Sequence, residues 1–178
     1  FARIKRYSPR QKLDRLHIEA ISQASANQRQ GRCGRIASGI CYRLYSEADF
    51  QSRSFYTDPE ILRASLSGVI LRMLSLGLGR LEDFPFIDAP DAKSIADGWQ
   101  QLTELGAVDK QRHLTDIGRQ MAKWPIDVKL ARMLIAAKQH GCLREVMVIA
   151  AYLSIQDPKE RPADAREAAD RAHAEFID

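Results

Sequence analysis

SIADGWQQLTELGAVDKQRHLTDIGRQM, residues 94–121, is the stretch that decides the fold class of this 178-residue chain. Its first part predicts a helix, because apolar residues recur at helical spacing and Gly106 ends the run. Those apolar positions are Ile95, Trp99, Leu102 and Leu105. The next residues, AVDKQRHLT (107–115), predict two short strands about a polar turn. Thr115 can then cap a further helix that continues through Met121.

A longer helix is predicted before this stretch. Asp58 is a good N-cap and Pro59 suits the first helical position, while Gly77 and Gly79 end the helix. Its helically spaced apolar residues are Ile61, Leu62, Leu66, Val69, Ile70, Met73 and Leu74. The resulting order of helix, helix, ribbon and helix is the outline of a winged-helix domain, which we place at residues 59–125.

Further helices are predicted beyond the winged-helix pattern. One spans about 127–140 and closes at a glycine, and the next spans about 143–153. DPKERP (157–162) is interpreted as a linker. The polar tail ADAREAADRAHAEFI (163–177) predicts a helix that packs on something outside this segment. This C-terminal part is therefore expected to begin a helical bundle.

The N-terminal third predicts a small α/β portion. Residues 1–21 indicate two short strands around the turn SPRQ (8–11), which form a hairpin. Ser25 and Gln28 have capping-box spacing, which predicts a helix that begins just after Ser25. GICYRLYS (39–46) is rich in β-branched and aromatic residues and predicts a buried strand. The fold class is therefore mostly α with a small α/β portion.

Positive charge is concentrated in the same third of the chain. The net charge is +4, yet residues 1–60 hold 11 lysines and arginines against 6 acidic residues, and the remaining 118 residues hold 16 against 17. Such asymmetry indicates either an anionic partner, with phosphate the usual candidate, or a solvated basic face.

Cysteine usage and hydropathy bear on the compartment. Three widely spaced cysteines without a CxxC pair are typical of reduced thiols rather than of a disulfide framework or a zinc site. The longest apolar runs, such as VMVIAAYL (146–153), are far shorter than the roughly 20 residues of a membrane span. We therefore expect a cytoplasmic protein with no metal site and no membrane partner. The start at Phe1, in an alternating pattern that needs a sheet to join, predicts an excised piece of a longer protein.

QRQGRCGR (28–35) is the candidate functional motif. On a helix that begins just after Ser25, Gln28, Arg32 and Arg35 are spaced four and three apart and share one face. Arginine forks suit phosphate oxygens and stabilise charge that develops on a transferring phosphoryl group. An arginine-rich helix is also typical of a solvated face, so spacing alone leaves both interpretations open. The sequence contains no P-loop, HExxH or GxSxG signature, and no self-sufficient catalytic site is visible.

The surrounding residues resemble a known family. SQASANQRQGRCGR (22–35) is similar to motif VI of the DEAH-box RNA helicases, superfamily 2 enzymes whose form is QRxGRxGR, and it matches at every fixed position. RLYSEADF (43–50) and then DPEILRASLSGVILRMLSLGLG (58–79) resemble the passage from their second RecA-like domain into a winged helix. LTDIGRQMAKWPIDVKLARMLI (114–135) resembles the junction with their helical ratchet domain. YSPRQKLDRL (7–16) is most similar to the bacterial HrpA-like branch.

This resemblance implies a domain order. Residues 1–46, with the hairpin, the motif VI helix and the strand, would be the C-terminal part of the second RecA-like domain. Residues 47–58 would be a linker, and 59–125 would be the winged-helix domain. Residues 126–178 would be the start of the ratchet domain.

The resemblance also implies an ATP-dependent RNA helicase that couples ATP hydrolysis between two RecA-like domains to RNA unwinding or remodelling. Gln28, Arg32 and Arg35 match the positions that face the γ-phosphate, and Arg32 and Arg35 would be catalytic. Arg29 matches the first motif arginine and would have a structural role. The full-length enzyme would use ATP and Mg²⁺, and its P-loop and DEAH carboxylates would precede Phe1. This segment alone is therefore expected neither to hydrolyse ATP nor to bind these cofactors tightly, and its partner would be the rest of the helicase chain, including the first RecA-like domain.

RNA is the second partner that the resemblance implies. The hairpin is similar to one near the RNA exit path, so its basic residues are candidate RNA contacts: Arg3, Arg6, Arg10, Lys12 and Arg15. The alternative is a non-enzymatic winged-helix nucleic-acid-binding protein with a basic N-terminal arm. Its groove-reading helix would carry only the acidic charges of Asp97 and Glu104, which is poor chemistry for DNA. Trp99 and Trp124 lie among apolar helical positions and are predicted to be core residues.

Overall fold

The computed structural model describes residues 1–155 and 164–175. Of the described residues, 51% are helical, and they form eight α-helices and one two-stranded antiparallel sheet. It divides into two compact units, residues 1–101 and 102–178. Over the described residues, no helix combines the length and the apolar character that crossing a membrane requires.

The N-terminal hairpin is present as predicted. Strand β1, Ala2–Ser8, pairs antiparallel with strand β2, Leu13–Glu19, and Arg6 lies directly opposite Arg15. Lys12 adopts the left-handed conformation, with φ 52°, which reverses the chain before β2.

Helix α1 spans Gln23–Arg32 and begins earlier than predicted. Its N-cap is Ser22, whose backbone is extended and whose hydroxyl accepts the Ser25 backbone N–H at 3.2 Å. The predicted cap at Ser25 is wrong because that residue already has helical backbone geometry in the first turn. Ser22 is buried, with 3% of its surface exposed, so its hydroxyl takes this partner within the protein.

The strand predicted at 39–46 is absent. A strand needs a neighbour for its backbone hydrogen bonds, and no described residue pairs with this segment. Its side chains nevertheless keep a period of two, since Tyr42 and Leu44 are exposed while Cys41, Arg43 and Tyr45 are half-buried. The predicted alternation of exposed and half-buried side chains is correct, but the predicted pairing with a neighbouring strand is not.

The predicted linker and the following helix also differ from expectation. Helix α2, Glu47–Ser52, occupies part of the linker and is capped by Ser46. Only a 3₁₀ turn, Glu60–Leu62, follows Asp58–Pro59, and helix α3 spans Ser67–Leu76. The backbone carbonyl of Arg63 accepts the Tyr7 N–H at 2.8 Å, so this carbonyl is bonded to β1 instead of extending a helix. Gly77, with φ 67°, ends α3 as predicted.

Helix α4, Ala92–Glu104, approaches α3 closely at Gly98. A Cβ at Gly98 would lie 2.8 Å from the Ile70 Cδ1 and 3.2 Å from the Ser67 N, so only glycine permits this approach. Trp99 is buried as predicted, and its indole N–H donates to Glu82 at 3.2 Å. The buried apolar residues of this region include Leu66, Ile70, Leu71, Met73 and Leu81.

In the second unit the predicted ribbon is reduced to a single bridge between Val108 and Leu114. Thr115 caps helix α5, Asp116–Ala122, as predicted, by accepting the Gly118 N–H at 3.0 Å. The order of helix, helix, ribbon and helix is therefore observed. The prediction that Trp124 is a core residue was wrong, since 37% of its surface is exposed. It lies just beyond the last turn of α5, outside the helical face that packs inward.

The remaining helices follow the predicted pattern. Helix α6, Val128–Gln139, is capped by Asp127, and helix α7, Leu143–Ser154, packs against it. Their shared apolar core consists of Leu130, Leu134 and Ala150 with Ile126, Leu143 and Val146. Helix α8, Arg166–Ala174, confirms the helical tail. The predicted linker at 157–162 lies outside the described residues.

Candidate functional site

The candidate site begins on the exposed side of α1. Ala26 is the buried residue of this helix, and Gln28 and Arg32 lie about 200° and 240° around the axis from it. Both side chains are exposed, and neither has a hydrogen bond or ion pair with another described residue. The structure therefore brings Gln28 and Arg32 together, one helical turn apart, with their polar groups directed outward.

Arg35 does not belong to this helical face, and that part of the prediction is wrong. The helix ends at Arg32 with Cys33 as its C-cap, and Arg35 lies in the bend that follows. Gly31 and Gly34 flank this end, and the low helix propensity of glycine favours termination there. Arg35 is exposed and, like Arg32, has no partner among the described residues.

Arg43 supports one flank of α1 and was missed by sequence reasoning. Its guanidinium donates to the Asn27 Oδ1 at 2.7 Å and to the Gln30 Oε1 at 2.8 Å. It also lies over the Phe50 ring, 4.1 Å from the centroid. The only signal in the sequence was a single basic residue within an apolar stretch, which did not reveal its partners.

Arg29 lies about 60° around the axis from Ala26, closer to the buried side of α1 than Gln28 and Arg32 are. It lines a pocket of about 370 Å³, together with Cys41, Arg43, Tyr45 and Arg53. Arg53 is almost fully buried, lies 3.9 Å from the centroid of the Tyr45 ring and forms a 2.6 Å ion pair with Asp49. Arg29 is itself exposed, and it lies at the edge of this pocket.

The basic residues of the hairpin separate into two groups. Arg6 donates to both carboxylate oxygens of Glu19, at 2.6 and 2.9 Å, and to Asp58 at 3.1 Å. The hydrogen bonds that Arg6 donates to Glu19, and then that to Asp58, raise the pKa of Arg6, and the same bond to Glu19 lowers the pKa of Glu19. Lys12 is half-buried and also has an interaction partner. By contrast, three residues are exposed and have no partner among the described residues: Arg3, Arg10 and Arg15.

Helix α4 carries one basic residue, the exposed Lys93, because it begins earlier than predicted, so the expectation of only acidic charge was wrong. With two acidic residues beside that lysine, the helix still does not present a basic surface. Asp97 is half-buried, and one of its carboxylate oxygens has no hydrogen-bond partner among the described residues. Glu104 is exposed at the end of the same helix. Over residues 1–155 and 164–175, no group of three or more histidine, cysteine, aspartate or glutamate side chains could hold a metal ion.

Two family models match the C-terminal part of the chain. The "Helicase associated domain (HA2), winged-helix" model matches residues 98–126, and the "Helicase associated domain (HA2), ratchet-like" model matches residues 127–177. The winged-helix match covers part of α4, the ribbon and α5, and the ratchet-like match covers the helices that follow.

Relatives extend the match to nearly the whole chain. The chain is 57% identical over 182 residues to the ATP-dependent RNA helicase HrpA of Escherichia coli K12, and 55% identical over 184 residues to the HrpA homolog of Haemophilus influenzae. Each alignment covers 99% of this chain. This chain belongs to the HrpA-like DEAH-box helicases. The chain spans 14% of the length of each of these relatives.

A solved structure supports the same fold. The chain superimposes on the Escherichia coli DEAH/RHA helicase HrpB with a TM-score of 0.77 and 32% sequence identity. The match covers 90% of this chain and 20% of that one. The predicted fold class, mostly α-helical with a winged helix and the start of a helical bundle, is confirmed.

Proposed function

We propose that this chain works within an ATP-dependent RNA helicase and supplies the motif VI side chains of its ATP site. The observation that carries this proposal is the state of Gln28, Arg32 and Arg35. All three side chains are exposed and have no partner among the described residues. Helix α1 itself, by contrast, is held by hydrogen bonds at its start and along one flank. Unpaired guanidinium groups at the end of a supported helix and in the bend just after it suit an anionic ligand that a neighbouring domain brings to them.

The chemistry of these side chains fits a nucleoside triphosphate. Arg32 and Arg35 can each donate paired N–H groups to phosphate oxygens, and Gln28 can donate one amide hydrogen or orient a water. Charge that develops on the γ-phosphoryl group during hydrolysis would be stabilised by the two arginines, which makes them catalytic residues in this proposal. The P-loop and magnesium-binding carboxylates would come from the rest of the helicase chain, including the first RecA-like domain. ATP with Mg²⁺ is therefore a substrate of the assembled enzyme, and we propose that the segment alone does not hydrolyse it.

RNA is the proposed substrate that the enzyme unwinds or remodels. Both bacterial relatives are named as ATP-dependent RNA helicases. In the hairpin, Arg3, Arg10 and Arg15 are the residues whose charge is available for phosphate, because Arg6 and Lys12 are engaged elsewhere. We place the enzyme in the cytoplasm. None of the comparisons favours the alternative of a non-enzymatic winged-helix protein.

The test replaces single arginines in the full-length helicase. Arg32→Ala and Arg35→Ala are each expected to lower the RNA-stimulated ATPase kcat by about 10² to 10³-fold, while RNA affinity changes less than about threefold. Arg72→Ala is the matched control, since Arg72 is also an exposed helical arginine without a described partner. An ATPase rate that is unchanged in both motif variants would contradict the proposed role.

A salt series separates the proposal from the alternative function. Duplex DNA binding by the 178-residue chain is expected to be weak at physiological salt. Tight binding that falls steeply with salt would instead support a non-enzymatic nucleic-acid-binding protein.

A further inference from the structure

The start of the motif VI helix is held by a single stretch of chain, residues 51–57, which we call the bracing segment. Two backbone hydrogen bonds join them: the Gln23 N–H donates to the Ser54 carbonyl at 3.0 Å, and the Ala24 N–H donates to the Phe55 carbonyl at 2.9 Å. The first N–H groups of a helix have no partner within the helix itself. The bracing segment supplies these partners and so fixes where α1 begins.

The Gln23 side chain adds a second connection. Its amide Nε2 donates to the Arg53 carbonyl at 2.8 Å and to the Gln51 carbonyl at 3.3 Å. Those carbonyls lie at the C-terminal end of α2, where a helix leaves acceptors without partners of its own. One side chain therefore ties the start of α1 to the end of α2.

Thr57 adds a third connection through the N-cap. The Thr57 hydroxyl donates to the Ser22 Oγ at 3.2 Å, and the same oxygen accepts the Ser25 N–H at 3.2 Å. Ser22 is buried, and its own hydroxyl donates to the Ser25 Oγ at 3.1 Å, so the Thr57 hydroxyl is the partner that reaches it from outside α1. Thr57 therefore orients the capping hydroxyl from the far end of the bracing segment.

We propose that Gln23 and Thr57 are positioning residues for the ATP site, acting through Arg32 at the other end of α1. This inference rests on the proposed function. Gln23 and Arg32 are nine residues apart, about 13.5 Å along the helix. A tilt of about 5° at the braced end would thus displace the Arg32 end by about 1.2 Å, and a displacement of about 1 Å can cost 10²-fold in rate.

Neither residue belongs to the QRQGRCGR motif, and neither carries the chemistry of phosphate binding. Their contribution is geometric: they hold one end of the helix while Arg43 supports its flank at Asn27 and Gln30. Loss of the brace should therefore impair the transition state more than the binding of ATP, because arginine–phosphoryl geometry matters most when charge develops.

The experiment uses the full-length helicase with single variants at the brace. Gln23→Glu keeps the shape of the side chain but replaces the donor with an acceptor that faces two carbonyls. Thr57→Val keeps the shape and removes the hydroxyl. Both variants are expected to lower the ATPase kcat by about tenfold with a change in KM for ATP below about threefold. Gln23→Lys, which retains a donor, is expected to stay within about threefold of the parent.

A matched control and a double variant isolate the mechanism. Gln120→Glu makes the same change at an exposed glutamine of α5 that has no described side-chain partner, and its kcat should equal that of the parent. In an Arg32→Ala background, Gln23→Glu should cause no further loss, because the group that it positions is gone. Circular dichroism and thermal unfolding verify that each variant is folded.

Three outcomes would be decisive. A normal kcat in both brace variants, whatever the change in melting temperature, would overturn the inference and leave a purely structural brace. A full tenfold further loss in the Arg32→Ala background would also overturn it. A normal rate for Arg32→Ala itself would instead refute the proposed function, so the two failures are distinguishable.

Discussion

Gly118 offers the sharpest test of how the second unit is packed. It lies within α5, where alanine usually stabilises a helix relative to glycine by about 1 kcal/mol. A Cβ at this position would, however, lie 2.0 Å from the carbonyl oxygen of Ala107 and 2.9 Å from the Leu114 Cδ2. Gly118→Ala is therefore expected to destabilise the protein despite its better helix propensity.

The magnitude follows from what the carbonyl of Ala107 holds. It accepts the Thr115 N–H at 3.1 Å and the Thr115 hydroxyl at 3.2 Å, and Thr115 is the cap of α5. Overpacking typically costs about 1–3 kcal/mol, and each weakened hydrogen bond adds about 1 kcal/mol. After the gain in helix propensity, the free energy of unfolding should fall by about 2–4 kcal/mol. For a chain of this size that corresponds to a melting temperature lower by about 4–16 °C.

The assay is thermal unfolding of the 178-residue chain, followed by far-UV circular dichroism, with Gly68→Ala as the control. Gly68 also lies in a helix, α3, but a Cβ there would have no atom within 4 Å. The control should be neutral or slightly stabilising. A Gly118→Ala variant as stable as the control would refute the packing argument, because it would mean that the ribbon yields to the added methyl group at little cost.

Two further predictions concern stability. Arg6 lowers the pKa of Glu19, so this pair stabilises the folded protein above the ordinary carboxyl pKa of about 4.3, and its contribution is lost as the pH falls through the lowered folded-state value. Melting temperatures measured from pH 7 to pH 3 should therefore drop less for Glu19→Gln than for the parent, whereas parallel curves would contradict the role of the pair. Leu102 has none of its surface exposed, and Leu102→Ala should cost about 2–5 kcal/mol in urea unfolding, while the same change at exposed Leu153 should cost less than about 1 kcal/mol.

Local signals predicted much of the fold correctly. Thr115, Asp127 and Gly77 cap or end the helices at which the sequence placed them, because a cap depends on residues within one turn of itself. The hairpin was also correct, since a turn between two alternating segments needs no distant partner. The spacing of four residues between Gln28 and Arg32 likewise predicted that they are neighbours on one helical face, because that relation depends only on the helix itself.

Predictions that depended on distant residues were wrong. The segment 39–46 has the composition of a strand, but a strand forms only when another strand lies beside it. The helix expected after Pro59 is delayed to Ser67, and the Arg63 carbonyl before it bonds to Tyr7 in the hairpin. Hydrophobic periodicity does not show whether a distant strand or carbonyl will pair with a segment. The sequence pattern therefore could not predict the missing strand at 39–46 or the late start of α3.

For the proposed ATP site, the sequence by itself determined the residue types: an amide and arginines, in a motif that resembles motif VI of the DEAH-box helicases. Only the tertiary structure decided where those groups lie. It ended α1 at Arg32, left Arg35 in a bend, engaged Arg6 with Glu19 and Asp58, and placed Gln23 and Thr57 at the braced start of the helix. The physical reason is that residue type fixes which bonds a side chain can make, whereas the partner that satisfies each bond is supplied by chain far away in sequence.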